Sequence, residues 1–265
     1  MSTPLSVQTL GQLALWRDGE RLPETIWKRG KARNLFLYFI THPTQFIARE
    51  RITSDLWPTL DDARAERDFK VALTALHTAL QPERAARQQS PYVVSQGNSY
   101  GLSGTAVSTD PIQASINLDY LQFETQIIKA SRLETADPTT AINLYQQALP
   151  LFQGEYLPEA VYEDWTVATR ERMTTLFLTG AMRLAHLLNE QKQPVEVAYW
   201  CERVLAVDAC WEDAYRLLMQ SYAVQGNRPF IHKTFNQCRQ NLERELSLEP
   251  MPETVRLYEQ MVGER

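Results

Sequence analysis

Two groups of basic residues carry the chemistry that this sequence offers. The first is the run Lys28-Arg29-Gly30-Lys31-Ala32-Arg33, with Trp27 before it. Arg29 and Arg33 are four apart, one helical turn, so they share a face at a helix start. Free N–H groups and the helix dipole attract phosphate there. Arginine adds a two-pronged grip on phosphate and a plane that stacks on bases. The second group is Arg64, Arg67 and Lys70, stepping by three along one helix face, with Arg84 and Arg87 beyond it. Both groups suit a phosphate-bearing ligand, either nucleotide or DNA. Lys28, Arg29, Lys31, Arg33, Arg64 and Arg67 are the expected ligand-binding set, and Lys70, Thr74 and His77 the expected DNA-facing one. The competing reading is a solvated surface of loose ion pairs, since Asp61, Asp62, Glu66 and Asp68 are interleaved with the second group.

Other chemistries lack their residues. His42, His77, His186 and His232 are scattered, with no H-x-x-x-H or C-x-x-C spacing for a metal. No phosphate-cradling glycine motif and no nucleophile elbow is present. The adjacent carboxylates Glu163-Asp164 and Asp61-Asp62 point apart on a helix and make poor acid–base partners. A non-enzymatic protein without cofactor or metal is expected.

The elements that must hold these residues follow from periodicity. Residues 5–27 fit two or three short strands, with Asp18-Gly19 as a hairpin turn. Leu35, Phe36, Phe39 and Ile40 form a helical face that stops at His42-Pro43. Ile47 to Trp57 reads as a second helix. Asp61 to Leu80 reads as a third of about five turns, capped by Asp61 or Asp62 and striped by Val71, Leu73, Leu76 and Leu80. Residues 91–102 read as strand, Gly-Asn turn and strand. Strands, three helices and a terminal hairpin make a winged helix, whose third helix would enter a DNA major groove.

The small, polar residues 103–116 set a domain boundary, giving a winged-helix domain at 1–104 and a helical domain at 115–265. From Asn117 onward no strand is expected, and helices cover about 117–133, 138–152, 162–191, 194–207, 211–225, 229–245 and 252–262. Ala181, Arg183 and Leu184 recur 33 residues on as Ala214, Arg216 and Leu217, close to a tetratricopeptide period. Stacked helical pairs of that kind build surfaces for protein partners. The aromatics of this half, Tyr162 and Tyr199 among them, are expected mainly in helix packing.

Charge is uneven. Residues 1–107 carry thirteen Lys and Arg against ten Asp and Glu, and the remainder fourteen against twenty-two, for a net −5. A mild basic excess of three is small for a DNA footprint. No run approaches a membrane span, and no signal peptide leads the chain, so a cytoplasmic protein is expected. Cys201, Cys210 and Cys238 are expected as buried free thiols.

Several longer stretches carry a family resemblance. They are LGQLALWRDGE, RGKARNLFLYFITHPTQFIARERITSDLWP and ARAERDFKVALTALHTALQPER in the first half. In the second half they are the run from Leu144 to Leu188, with Tyr162-Glu163-Asp164-Trp165 and Arg170-Glu171-Arg172, and the closing Leu248-Glu249-Pro250-Met251-Pro252-Glu253-Thr254. Over nearly its full length the chain resembles bacterial transcriptional activator domain proteins of the antibiotic-regulatory (SARP) type. The resemblance implies a mainly α fold with a small β part: a response-regulator-type winged helix, then an all-α tetratricopeptide-like domain. It also implies DNA-binding transcriptional control. Where the family usually shows several arginines late in the third helix, this chain reads Thr74-Ala75-Leu76-His77-Thr78. Short cyanobacterial proteins of this layout look similar and are described as cyclic di-GMP receptors, which implies that ligand for the arginine set. Three functions follow: a cyclic di-GMP-responsive regulator, a DNA-binding activator without a small ligand, and a protein-interaction adaptor. DNA, a transcription factor or RNA polymerase would be the macromolecular partners, the proteins through the helical domain, and no membrane is involved.

Overall fold

The computed structural model describes residues 4–28, 30–83, 90–103 and 116–263. The chain forms two compact units: residues 1–122 with 153–171, and residues 123–152 with 172–265. Of the boundary segment expected at 103–116, residues 104–115 lie outside the described residues.

The first unit begins with strands β1 (Leu5–Gln8), β2 (Ala14–Arg17) and β3 (Glu20–Arg21). Leu5 and Val7 alternate inward, as a half-buried strand requires. Asp18 and Gly19 both take positive φ, 52° and 80°, the turn that Asp-Gly favours between twisted antiparallel strands. Helix α1 (Gly30–Thr41) is buried nearly all round beyond its first turn, from Leu35 to Thr41. A two-residue strand, β4 (Ile47–Ala48), precedes α2 (Arg49–Leu56), and α3 spans Asp62–Leu80. The hairpin β5 (Val93–Gln96) and β6 (Ser99–Leu102) turns at Gly97-Asn98 and completes a sheet of order β4-β6-β5. This is the winged helix, and α1 packs on α3 at its centre.

Asp61 caps α3 by accepting from the Arg64 N–H at 2.9 Å. The buried stripe of α3 differs from the expected one. It runs through Ala65, Phe69, Ala72, Leu76, Ala79 and Leu80, at steps of three and four. Val71 is 39% exposed on the opposite face, and Leu73 is only half-buried. Small alanines let α3 approach its neighbours closely, and Phe69 fills the gap, meeting the Tyr100 ring edge-on at 4.8 Å. Two further differences are local. Ile47 and Ala48 pair with Tyr100 and Ser99 instead of joining the helix. Ile116–Leu118 forms a strand, β7, parallel to β1, where no strand was expected from 117 onward.

The segment 153–171 belongs to this first unit. The Gly11 N–H donates to Glu155 O at 3.0 Å and the Leu157 N–H to Thr9 O at 2.9 Å. Asp119, at the start of α4 (Asp119–Leu133), accepts from Thr9 N and Oγ1 (2.8 and 2.6 Å) and from Leu10 N (3.0 Å). Burial pushes its pKa up against those donors.

The second unit is helical: the rest of α4, α5 (Pro138–Ala148), most of α6 (Asp164–Glu190), then α7 (Pro194–Val207), α8 (Glu212–Val224), α9 (Arg228–Leu246) and α10 (Pro252–Gly263). Two successive hairpins, α6–α7 and α8–α9, share one turn design. Lys192 and Gly226 both sit in the left-handed region. The next N–H reaches back five residues: Gln193 N to Leu188 O at 3.0 Å, Asn227 N to Tyr222 O at 2.8 Å. The recurring alanines and leucines, Ala181, Leu184, Ala214 and Leu217, are all buried. Arg183 and Arg216 each pair with a carboxylate, Glu134 and Asp213. This is the tetratricopeptide-like layout. Asn241 donates to the Tyr215 hydroxyl at 2.7 Å beside Cys238 and Leu242, tying α9 to α8. Cys201 and Cys238 are buried and their thiols pushed up to about 12 by desolvation, while Cys210 is only half-buried; all three are free.

Candidate functional site

The outer face of α3 is one continuous row. Arg64, Arg67, Lys70, Val71, Thr74 and Thr78 are all exposed on it, and His77 is half-buried at its edge. Most of its cations are already engaged. Arg64 pairs with Asp61 at 3.2 Å. Lys70 reaches Glu66 at 2.9 Å, and Arg49 of α2 meets the same carboxylate at 2.8 Å. Hydrogen bonding from Lys70 and the nearby Arg49 charge hold Glu66 below the usual carboxylate range, so it stays ionised. Arg67 has no ion pair among the described residues. Thr74 and Thr78 donate their hydroxyl protons to the carbonyls four residues back, Lys70 O (2.8 Å) and Thr74 O (3.0 Å). Those protons are therefore spent inside the helix.

The wing adds no cation, since Val93 to Leu102 reads VVSQGNSYGL. Its turn is fastened to α2: Asn98 Nδ2 donates to Glu50 at 2.6 Å, and its carbonyl accepts from Arg49 N at 3.0 Å. Glu50 lies below its ordinary pKa, mainly through its own backbone N–H and then through Asn98.

The basic run before α1 is divided. Arg29, like Arg84 and Arg87, lies outside the described residues. Lys28 is exposed with no ion pair among the described residues. Lys31 is drawn across to Asp68 of α3 at 2.5 Å, over the Trp57 ring at 5.9 Å. The Lys31 hydrogen bond lowers the Asp68 pKa. Arg33 stands 3.9 Å from Glu159, a loose pair. Arg33 also lines a cleft of about 220 Å³ with Gly30, Trp27, Pro23, Leu15 and Arg21. Arg21 was not singled out from the sequence. It lies on β3, twelve residues before Arg33, and no spacing rule relates a strand to the next helix. Trp27 packs on Phe36, ring centroids 5.3 Å apart, so one wall of the cleft is fixed.

Thus Arg21 and Arg33 share the cleft, Lys31 and Lys70 are bound by acidic partners, and Arg67 stands apart on α3. The cleft sets these two arginines beside the Glu24 carboxylate. On α3 the surface offers a weakly cationic face with a methyl-rich centre. Among the described residues no group of three or more His, Cys, Asp or Glu is gathered for a metal, and no helix is long and apolar enough to cross a membrane.

One aromatic, Tyr162, departs from the expected packing role, and Tyr199 keeps it only in part, its ring edge-on to Trp200 at 5.0 Å. Tyr162 is 96% exposed and Tyr199 is half-exposed, while Tyr145, Phe152, Tyr156 and Tyr215 are buried as expected.

Comparison with known proteins fits this picture. No curated protein matches the chain in sequence. Among solved structures, Mycobacterium tuberculosis EmbR in complex with a low affinity phosphopeptide is similar over 99% of this chain, with TM-score 0.75 and 15% identity. The chain spans 66% of the EmbR chain, about two thirds of its length. The C-terminal TPR-containing domain of a Plasmodium falciparum FK506-binding protein aligns over 55% of this chain and 89% of its own, with TM-score 0.41 and 14% identity. The EmbR likeness shows the fold: a winged helix followed by tetratricopeptide-like helices. Residues 118–262, more than half of the chain, match the family model of the bacterial transcriptional activator domain, and the chain belongs to that family.

Proposed function

We propose that this chain is a non-enzymatic, cytoplasmic regulator of transcription that answers to a nucleotide second messenger of the cyclic di-GMP type. It acts on gene expression directly or through a partner transcription factor. The observation that carries the reading is the cleft lined by both Arg21 and Arg33 beside Gly30 at the start of α1, while Arg64 and Lys70 of α3 are held by carboxylates. Two arginines suit a phosphate or a guanine edge. A volume of about 220 Å³ is below that of sites which enclose a whole drug-sized ligand. One half of a cyclic dinucleotide enters and the other lies across the mouth, toward Lys28. The division into a winged-helix part at 1–104 and an activator part from 115 belongs to this proposal, and the family match over 118–262 supports its second half.

Calorimetry with cyclic di-GMP tests it. Micromolar or tighter binding is expected, weakened about tenfold or more by Arg33→Ala, Arg29→Ala or Arg21→Ala. No heat at high ligand concentration overturns the ligand reading.

A second reading, a DNA-binding activator without a small ligand, is favoured by the aligned row Arg64, Arg67, Val71, Thr74 and Thr78. Methyl groups of Val and Thr suit the thymine methyl in a major groove. A gel-shift series across salt tests it. Each neutralised phosphate steepens the log–log slope by about 0.9, and a slope near zero removes this reading.

A further inference from the structure

The segment between the 3₁₀ turn at Pro158–Ala160 and the second turn of α6 has an organisation that neither ligand nor DNA binding uses. Its corner, Val161-Tyr162, is thrust outward: Tyr162 is 96% exposed and Val161 43%. The corner is nevertheless tied down by hydrogen bonds. Arg170, with only 13% of its side chain exposed, donates Nε to Tyr156 O (3.2 Å) and Nη2 to Ala160 O (3.1 Å). Nη1 reaches Val161 O at 3.4 Å. Buried Thr166 closes the turn through its hydroxyl to Glu163 O at 2.8 Å. Beside the corner, Asp164, Val167, Ala168 and Glu171 share one exposed face of α6. Of the five carboxylates in residues 153–171, Glu155 and Glu159 lie near Arg170 and Arg33, which leaves Glu163, Asp164 and Glu171 beside the corner; the single basic residue of the segment, Arg170, is turned inward.

We propose that this surface is a docking site for a basic segment of a partner protein, with Tyr162 as the anchor. An aromatic displayed on a pre-ordered corner loses little entropy on binding, and such residues dominate interface energetics. The carboxylates select the sign of the partner. Nucleic acid is repelled, and a second copy docked face to face would set carboxylate against carboxylate. The occupant is therefore a segment bearing an apolar residue flanked by Lys or Arg. This inference stands independently of the ligand and DNA readings.

The test is selection of a random twelve-residue peptide library on the full chain, with subtraction on Tyr162→Ala. Tyr162 makes too little contact for its replacement to unfold the chain, and circular dichroism of each variant checks this. The expected pool carries net positive charge beside an aliphatic or aromatic residue. Its affinity should fall about thirtyfold on Tyr162→Ala, fall on Asp164→Lys and Glu171→Lys, weaken with salt, and persist in Tyr162→Phe. A pool without cationic bias, no pool that depends on Tyr162, or self-association that depends on Tyr162 in sedimentation would each overturn the proposal.

Discussion

The Arg170 guanidinium is 3.1 Å from the carbonyl oxygen of Ala160, ten residues before it, and Tyr156, Leu157 and Val161 turn their carbonyls to the same group. A lysine has the charge but not the planar fork of donors. Arg170→Lys and Arg170→Ala should both destabilise the chain, by about 1.5–3 kcal/mol, because charged hydrogen bonds are lost and buried carbonyls are left unmet. Denaturant unfolding measures the loss, and a shift within error would show that water takes over the carbonyls.

The packing of α3 makes a second prediction. Phe69 is wholly buried and Val71 is exposed. Phe69→Ala should cost about 3–5 kcal/mol. Val71→Ala should stay within about 0.5 kcal/mol in the same unfolding experiment, though Val71 belonged to the stripe expected from the sequence. Equal losses at the two sites would mean that α3 is rotated about its axis.

Gly101 in the wing has a steric role. A Cβ there would lie 2.7 Å from Gln45 O, a backbone atom that cannot swing away. Gly101→Ala should therefore destabilise the first unit by about 1–3 kcal/mol. Hydrogen exchange of the β5–β6 amides should accelerate with it; unchanged protection would refute the clash.

His186 and Asp213 form a pH-dependent pair, Nε2 to Oδ2 at 2.8 Å. The Asp213 hydrogen bond raises the His186 pKa above its ordinary 6.5, and His186 lowers that of Asp213. A raised histidine pKa stabilises fully below the unfolded value and loses that contribution as pH rises through the folded value. The gain should fade above about pH 6.5. Half the His186 side chain is solvated, so screening keeps the effect below about 1 kcal/mol. An NMR titration of His186 should give a midpoint above 6.5 that returns toward it in Asp213→Asn. An unshifted midpoint in the parent chain would refute the pair.

Local signals read well in the sequence. The Asp61 cap, the Asp18-Gly19 turn, the wing turn at Gly97-Asn98 and nearly every helix end of the second half depend on residues within a few positions of each other. The features missed depend on distant partners. Strand β7 is three residues long and acquires its identity only by lying beside Leu5–Val7, so it shows no period of its own. The stripe of α3 was misassigned because alanines, weak in hydrophobic pattern, carry the closest packing. In the candidate site, the basic residues were legible as types, and their interleaved acids as a competing reading. That Lys31 is spent on Asp68, thirty-seven residues away, follows only from how α1 lies on α3.

The pairing of β1 with β7 also sets a timetable. The strand synthesised first finds its parallel neighbour more than a hundred residues later, and Asp119 then answers the Thr9 and Leu10 amides. On the ribosome, β1 must wait with one edge bare, and bare edges recruit foreign strands. Closure over so long a separation is slow, so β1 stays open to foreign partners until residues 116–118 arrive beside it.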